Sequence, residues 1–180
     1  YQPDHVLALT FTAKAASEMG TRLQGLGVRG VAARTFHSAA LRQLQHFWPT
    51  VAGGRLPDIS GAKGRLVAKA LESLHLGVDT AILRDIAADI EWRKVHGLTI
   101  EQYQTQRQGT PGDVPGGMSV EAMASIHERY ERVKDEASRI DFEDVLLATV
   151  GLMEENSQVL EKVRAQYSAL LVDEYQDVSP

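Results

Sequence analysis

The sequence predicts an α/β fold in which a small parallel sheet is interrupted by an all-helical insertion, so that helix predominates overall. Three strand candidates, short and largely apolar, lie near the two ends of the chain, at residues 6–11, 28–34 and 169–172. Such runs are typical of strands that are buried on both faces, as in a parallel sheet. We therefore divide the chain into a core of residues 1–47 and 141–180 and an insertion of residues 48–140.

The composition is that of an ordinary globular protein and excludes several classes. The 180 residues are 43% hydrophobic and 24% charged, which excludes collagen-like and wholly disordered chains. The absence of cysteine excludes disulfides, thiolate metal sites and cysteine nucleophiles. No apolar run approaches the roughly 20 residues of a membrane helix, and the first residues lack the layout of a signal peptide. We therefore expect a cytoplasmic protein in a reducing setting.

The charge is distributed unevenly along the chain, although the net charge is only −5. Residues 1–50 carry five basic and two acidic side chains, whereas residues 141–180 carry nine acidic and two basic ones. One end that meets a polyanion and another that holds cations would give this asymmetry. Two solvated surfaces would give it as well, and charge alone favours that simpler interpretation.

The first 50 residues predict strand, helix, strand and helix in that order. Thr12 follows the first strand and offers an N-cap hydroxyl, and Thr35 does so after the second strand, which Gly30 weakens. Gly25 ends the first helix, and Pro49 is predicted to stop the second. The apolar residues at helical spacing are Ala15, Met19 and Leu23 in the first helix and Phe36, Ala40, Leu44 and Phe47 in the second.

The middle of the chain predicts helices and no strand. Residues 108–117 are rich in glycine and proline, lack periodicity and are predicted to form a loop. After this part, Asp141 is predicted to cap the next helix, with Asp144 at the capping-box position. Three apolar stripes recur at helical spacing: Leu66, Val67, Ala70, Leu71 and Leu74; Ile82, Ile86 and Ile90; and Val120, Met123, Ile126, Tyr130 and Val133.

Two carboxylates, Asp173 and Glu174, directly follow the last predicted strand. Ligands and catalytic groups collect at the carboxyl ends of parallel strands. An acid there can hold Mg²⁺, while its neighbour orients or deprotonates an attacking water. Adjacent strand residues point to opposite sides, so the two carboxylates would have different roles. Because such a pair also occurs at an ordinary solvated strand end, these two residues alone leave both interpretations open.

Four stretches of the sequence carry distinctive short motifs. In chain order they are LTFTAKAASEM at residues 9–19, TFHS at residues 35–38 with Arg42 four residues later, DFEDVL at residues 141–146 and LLVDEYQD at residues 170–177. The first two are similar to motifs Ia and Ib of the UvrD/Rep/PcrA-like superfamily 1 DNA helicases. The third resembles the Asp-Phe-Asp-Asp-Leu element that follows the family's accessory subdomain, and the fourth resembles motif II, the Walker B element. The resemblance implies a partial RecA-like P-loop NTPase core.

The resemblance implies roles for four residues around ATP. Asp173 would help to hold the Mg²⁺ of MgATP, and Glu174 would be the general base for the hydrolytic water. Gln176 would sense the γ-phosphate and couple it to the DNA site, and Asp177 would support the motif. ATP and Mg²⁺ are therefore the cofactors that we expect.

The resemblance also implies a track for single-stranded DNA. Aromatic faces stack on bases of any sequence, and lysines and hydroxyls bind phosphates. Phe11 and Phe36 are equally suited to an apolar core, and a lone His37 is more suited to organising backbone than to catalysis. Ala13 stands where the family usually has asparagine, so one expected hydrogen bond is in doubt. The residues implied to line the track are Phe11, Thr12, Lys14, Thr35, Phe36 and His37.

The sequence contains no Gly-x-x-x-x-Gly-Lys-(Ser/Thr) phosphate loop. In the family this loop lies just upstream of motif Ia, so we expect a piece of a helicase that is inactive alone. Residues 61–64, GAKG, are not expected to replace it, because no strand is predicted before them. Without the strand that leads into the loop, we expect the last strand to have an open edge, at which the piece either self-associates or frays.

Two other kinds of parent protein remain open. A helicase–nuclease of the RecB/AddA kind shares these motor motifs and would carry an additional nuclease domain. A motor-like scaffold would bind DNA without turnover, although the intact pair Asp173 and Glu174 is unfavourable to that interpretation. The main expectation is an ATP-dependent helicase or translocase that moves along single-stranded DNA and meets duplex junctions.

Overall fold

The computed structural model describes residues 2–109 and 114–177 of the chain. These residues form two compact units. The first unit combines residues 2–56 with residues 145–177, and the second consists of residues 57–144. The chain thus leaves the first unit and returns to it.

Most of the described residues lie in helices, as the sequence predicts, and the strands are short. The strands are β1 (Val6–Thr10), β2 (Ala32–Thr35), β3 (Asp58–Ile59), β4 (Arg139–Ile140) and β5 (Ala169–Val172). The α-helices are α1 (Ala13–Gly25), α2 (Phe36–Val51), α3 (Lys63–Ser73), α4 (Thr80–Val95), α5 (Ile100–Gln108), α6 (Val120–Glu136), α7 (Phe142–Glu155) and α8 (Ser157–Gln166). Within the described ranges, none of these helices is both long and apolar enough to cross a membrane.

The first unit contains a three-stranded parallel sheet in the order β2-β1-β5. Leu9 of the central strand lies opposite Arg34 of β2 and opposite Val172 of β5. Every residue of β1 is buried, because β1 has a strand on each side and contacts both α1 and α2. The prediction of a small parallel sheet is therefore confirmed.

Both threonines predicted as helix caps stabilise the first turns of their helices. Thr12 Oγ1 accepts a hydrogen bond from the backbone N–H of Ala15 at 3.1 Å, and Thr35 Oγ1 accepts one from Ser38 at 3.1 Å. Each cap satisfies a donor that the start of a helix otherwise leaves without a partner. Because these caps closely follow β1 and β2, they fix where α1 and α2 begin relative to the sheet.

Two boundaries in the first unit differ from the prediction. β2 begins at Ala32, four residues later than predicted, because Gly30 has a φ of +101°, which strand residues do not adopt. A Cβ at position 30 would also lie 3.2 Å from the backbone nitrogen of Asp4. The helix α2 continues past Pro49 to Val51, because the proline removes only one backbone hydrogen bond, and the N–H of Ala52 still donates to the carbonyl of Trp48 at 2.9 Å.

The second unit has its own apolar core, formed by α3, α4, α5 and α6. The three predicted stripes supply most of it, and their buried members lie on α3, α4 and α6. The aromatic ring of Tyr103 comes from α5, which no predicted stripe includes. The residues of this core that are almost fully buried are Val67, Ala70, Leu71, Ile86, Ile90, Tyr103, Met123, Ile126, Tyr130 and Val133.

A short parallel ladder joins the two ends of the second unit, where the sequence predicts no strand. Asp58 of β3 lies opposite Arg139 of β4, and Ile59 lies opposite Ile140. The N–H of Ser60 extends the ladder by donating to the carbonyl of Ile140 at 2.7 Å. The prediction of no strand in this part was wrong at these two places, because a two-residue strand is too short to show periodicity.

Residues 61–64 follow strand β3, although the sequence predicts no strand before them. The ammonium group of Lys63, however, lies 2.8 Å from a carboxylate oxygen of Glu143 and 3.2 Å from one of Glu91. Two carboxylates therefore already neutralise the lysine that a phosphate would need.

A buried ion cluster lies where the chain leaves the second unit. The carboxylate of Asp141 is 1% exposed, and the ammonium groups of Lys94 and Lys134 are 2% and 3% exposed. Asp141 Oδ2 lies 2.6 Å from Lys94 Nζ and 3.3 Å from Lys134 Nζ, and it accepts a hydrogen bond from the hydroxyl of Tyr130 at 2.9 Å. Both lysines also bind Asp144. Positive and negative groups thus compensate one another inside the fold.

The predicted capping box at Asp141 is confirmed within this cluster. Asp141 Oδ1 accepts the N–H of Asp144 at 3.0 Å, and Asp144 Oδ2 accepts the N–H of Asp141 at 2.9 Å. Burial alone would raise the pKa of Asp141, but the charges of Lys94 and Lys134 outweigh it and hold that pKa well below its usual range. Asp141 is therefore a carboxylate at neutral pH.

A second buried polar cluster connects α4, α5 and α6. Asp89 accepts hydrogen bonds from Arg107 at 2.5 Å, from the hydroxyl of Tyr103 at 2.7 Å and from the imidazole Nε2 of His127 at 3.0 Å. The other imidazole nitrogen, Nδ1, accepts a hydrogen bond from Arg93 Nε at 2.8 Å. Burial lowers the pKa of His127, so this side chain is neutral near pH 7.

Candidate functional site

The predicted site residues follow the carboxyl ends of the three strands in the first unit. Because β1, β2 and β5 are parallel, these ends meet at one edge of the sheet. Thr10 at the end of β1 lies opposite Thr35 at the end of β2. On the other side of β1, the N–H of Asp173 donates to the carbonyl of Leu9 at 2.9 Å and extends the ladder past β5. We call this the carboxyl edge.

Two exposed carboxylates follow β5 at this edge. Asp173 Oδ1 accepts a hydrogen bond from the backbone N–H of Glu174 at 3.1 Å. Glu174 has a φ of +55°, in the left-handed region that non-glycine residues seldom adopt. The backbone turns at this residue and enters a single 3₁₀ turn, Tyr175–Asp177. The opposite orientation of the two carboxylates that strand alternation implies stays a prediction, because β5 ends at Val172, before both residues.

Glu174 and Gln176 are in direct contact. The side-chain amide of Gln176 donates a hydrogen bond to a carboxylate oxygen of Glu174. The two residues predicted as catalytic are therefore coupled to each other through the short turn. Asp177 ends that turn, and the prediction for its side chain lies outside what the structure describes.

The carboxyl edge offers a divalent cation one part of a coordination shell. No cluster of three or more histidine, aspartate or glutamate side chains suited to a metal occurs among residues 2–109 and 114–177. Mg²⁺ is usually held by one or two carboxylates together with waters and substrate phosphates. By donor type, Asp173 would suit a site of that kind better than an all-protein site.

Two phenylalanines meet at the part of the edge formed by β1 and β2. The ring centroids of Phe11 and Phe36 are 5.2 Å apart, and the rings are tilted by 42°. Phe11 is 40% exposed, whereas Phe36 is half-buried and packs against the cluster that includes Leu7, Leu9 and Ala39. The simple core interpretation therefore applies to one side of Phe36 and not to Phe11. Together they form a partly open aromatic surface.

The polar residues of the predicted DNA track have different environments. The hydroxyl oxygens of Thr12 and Thr35 accept hydrogen bonds as helix caps, and their hydroxyl hydrogens remain available to an external acceptor. Lys14 is exposed and has a long contact of 3.9 Å to Glu18 on the same helix, which costs little to break. Burial lowers the pKa of His37, so it is neutral near pH 7 and cannot bind phosphate by charge.

The starts of two helices add to the electrostatics of the carboxyl edge. Both α1 and α2 begin there, directly after Thr12 and Thr35. The N-terminal end of an α-helix carries a partial positive charge and N–H donors that point outward. The part of the edge that carries the phenylalanines is therefore suited to an anion, while the part after β5 carries carboxylates.

Comparison with known proteins identifies the family of the chain. The family model described as the UvrD/REP helicase N-terminal domain matches residues 1–180. The ATP-dependent DNA helicase UvrD2 of Mycobacterium tuberculosis is 37% identical over 97% of this chain and 26% of its own length. The putative ATP-dependent DNA helicase YjcD of Bacillus subtilis and the ATP-dependent DNA helicase PcrA of Leuconostoc citreum are each 27% identical, over 99% and 98% of this chain.

The chain spans about a quarter of the length of these relatives, namely 26% of UvrD2 and 23% of YjcD and PcrA. The match nevertheless covers the described residues of both compact units. The four stretches that resemble helicase motifs lie at the carboxyl edge and at the buried capping box. The chain therefore belongs to the UvrD/REP helicase N-terminal domain family.

Proposed function

We propose that this chain is part of a longer ATP-dependent DNA helicase, to which it contributes one wall of the ATP site and part of the path of single-stranded DNA. The observation that supports this most directly is that carboxylates and an open aromatic pair follow adjacent parallel strands at one edge. ATP hydrolysis at β5 would then act on DNA across a single intervening strand, β1. The second unit, residues 57–144, would be the accessory subdomain, and a DNA enzyme of this kind would work in the cytoplasm.

On the nucleotide side, the proposal gives each polar residue after β5 a separate task. MgATP would supply the phosphoryl group and a cation that neutralises its charge. Asp173 would provide a carboxylate oxygen toward that cation, and Glu174 would accept a proton from the attacking water. Gln176, whose amide donates a hydrogen bond to Glu174, would hold the carboxylate in place until that bond breaks and the carboxylate binds the attacking water. The chain alone is proposed to be inactive, because its sequence has no phosphate loop.

On the DNA side, the proposal assigns sequence-independent contacts. The exposed face of Phe11 and the open side of Phe36 would stack on bases, which every base permits because each has an aromatic face. Lys14 and the hydroxyls of Thr12 and Thr35 would bind phosphates, assisted by the two helix N-termini. His37, being neutral, would orient backbone or donate one hydrogen bond and would add no charge.

The aromatic surface is tested by replacing Phe36 with alanine in the longer protein. If a base stacks on this ring, binding of a single-stranded oligonucleotide weakens by about 1–3 kcal/mol. Fluorescence anisotropy with a labelled oligonucleotide measures the affinity, and circular dichroism confirms that the variant is folded. Phe47→Ala is the matched control, because Phe47 lies on the same helix but is buried away from the edge. A Phe36 variant that loses thermal stability but binds as wild type would show that the ring is only core.

The open edge of β5 is tested on the 180-residue chain itself. Leu170 and Leu171 are 60% and 56% exposed, and β5 pairs with β1 on one side only among the described residues. An exposed apolar edge is a template for another strand. We expect light scattering to show concentration-dependent association, which MgATP does not prevent and Leu170→Lys reduces. A strictly monomeric chain with strong hydrogen-exchange protection at residues 170–172 would contradict this.

A further inference from the structure

Arg34 is a basic residue at the carboxyl edge to which neither the sequence nor the family resemblance assigns a role. It lies on β2 one residue before Thr35, opposite Leu9 of β1, which in turn lies opposite Val172. Residues in register on neighbouring strands point to the same face, so Arg34 shares the face of the apolar cluster around Leu9. Phe36 packs against the same cluster.

The guanidinium group of Arg34 has a buried donor without an acceptor. Its Nε is buried and makes no hydrogen bond, and no hydrogen bond or ion pair joins the side chain to any residue in the described part of the chain. Arg34 as a whole is half-buried, so other atoms of its side chain reach the surface. A buried donor that lacks a partner costs free energy and calls for an explanation.

Buried cations in the second unit are paired with carboxylates. In the second unit, Lys94, Lys134, Arg93 and Arg107 each lie within 2.7 Å of a carboxylate oxygen. Those four groups are therefore neutralised within the fold. Arg34 shares its face of the sheet with an apolar cluster, and no carboxylate in the described part of the chain pairs with it. This is the expected state of a group whose acceptor is an external anion.

We propose that Arg34 binds a backbone phosphate of the single strand whose bases stack on Phe11 and Phe36. This inference rests on the proposed DNA-binding function. Arg34 shares a face of the sheet with the cluster on which Phe36 packs, and it directly precedes Thr35, the N-cap of α2. A base stacked on the Phe36 ring would therefore bring its phosphate close to the arginine. The strand β2 lies on the far side of β1 from Asp173, so a DNA phosphate is the acceptor and not a phosphate of ATP.

The test replaces Arg34 with methionine in the longer protein and measures oligonucleotide affinity over a series of salt concentrations. Loss of one phosphate contact on a single strand lowers the slope of log K against log salt by about 0.7. The loss of affinity is the same for oligo(dT) and oligo(dA), because phosphates carry no sequence information. The melting temperature does not fall, because methionine removes an unpartnered donor. Arg22→Met, nine residues beyond Ala13 in α1, is the control and leaves the slope unchanged.

The outcomes separate this inference from the proposed function. A wild-type protein that fails to bind single-stranded DNA would refute the function and the inference together. Wild-type binding with an unchanged slope in Arg34→Met would refute the inference alone. A variant that binds DNA normally but loses the stabilisation by MgATP would assign the arginine to the nucleotide. A fall in melting temperature with an unchanged slope would give Arg34 a purely structural role.

Discussion

Replacing Glu174 with glutamine in the longer protein is expected to lower the rate of ATP hydrolysis by about 10²- to 10⁴-fold, the usual effect of removing a general base. Glutamine has the shape of glutamate and keeps an oxygen that can accept the hydrogen bond from Gln176. The left-handed backbone at position 174 is equally accessible to both residues. Binding of MgATP and of single-stranded DNA is therefore expected to stay close to wild type.

The measurement is steady-state ATPase activity at saturating DNA, with nucleotide affinity determined separately by a fluorescent analogue. Unlike Glu174→Gln, Asp173→Asn is expected to lower the affinity for MgATP, because it removes a ligand of the magnesium ion. Glu161→Gln on α8 controls for the loss of one exposed negative charge in the same unit. If the Glu174 variant turns over ATP at the wild-type rate, another group accepts the proton.

Much of the first unit follows from local sequence. The apolar run at β1 is buried at every position, and threonine at the start of α1 and of α2 caps the helix as predicted. These signals are local, since a cap depends on residues three apart and a buried strand on its own composition. The position of Asp173 and Glu174 at the carboxyl edge follows from the same local signal at β5.

Other features depend on partners that are distant in the sequence. Lys94 lies on a helix whose spacing gives no sign that its ammonium group is buried, and its partner Asp141 is 47 residues away. The ladder between β3 and β4 joins segments about 80 residues apart through only two pairs. The burial of Arg34 Nε without a hydrogen-bond partner likewise depends on the packing around it, which the spacing of residues in the sequence does not reveal. Tertiary structure, and not local preference, decides these features.

The ion cluster gives a second large expected effect, on the stability of the second unit. Asp141→Asn keeps the size of the side chain and an acceptor for the helix cap, but it removes the charge that lies between Lys94 and Lys134. Removing one partner of a buried ion pair typically costs about 3–5 kcal/mol. In this cluster Asp144 and Glu131 stay bound to both lysines, so part of the positive charge remains compensated. We therefore expect the free energy of unfolding of this unit to fall by about 3 kcal/mol, the lower end of that range.

Urea unfolding followed by tryptophan fluorescence measures this effect in a Trp48→Phe background, where Trp92 reports on the second unit alone. Glu136→Gln is the control, because Glu136 is exposed where it pairs with Arg129, and exposed ion pairs contribute about 0–1 kcal/mol. An Asp141 variant as stable as the control would mean that the two lysines lose their charge or reach water once the carboxylate is gone.

The same carboxylate predicts how acid acts on the second unit. The pKa of Asp141 in the folded chain is held below its ordinary value, so the unfolded chain takes up the proton first as the pH falls. The stabilisation by Asp141 is therefore complete at neutral pH and is lost progressively below a pH of about 4, near the pKa of an unperturbed aspartate. Because Asp141→Asn has no such proton to take up, the difference in unfolding free energy between wild type and variant should narrow as the pH falls. A difference that stays constant from pH 7 to pH 3 would show that the charge of Asp141 does not stabilise the fold.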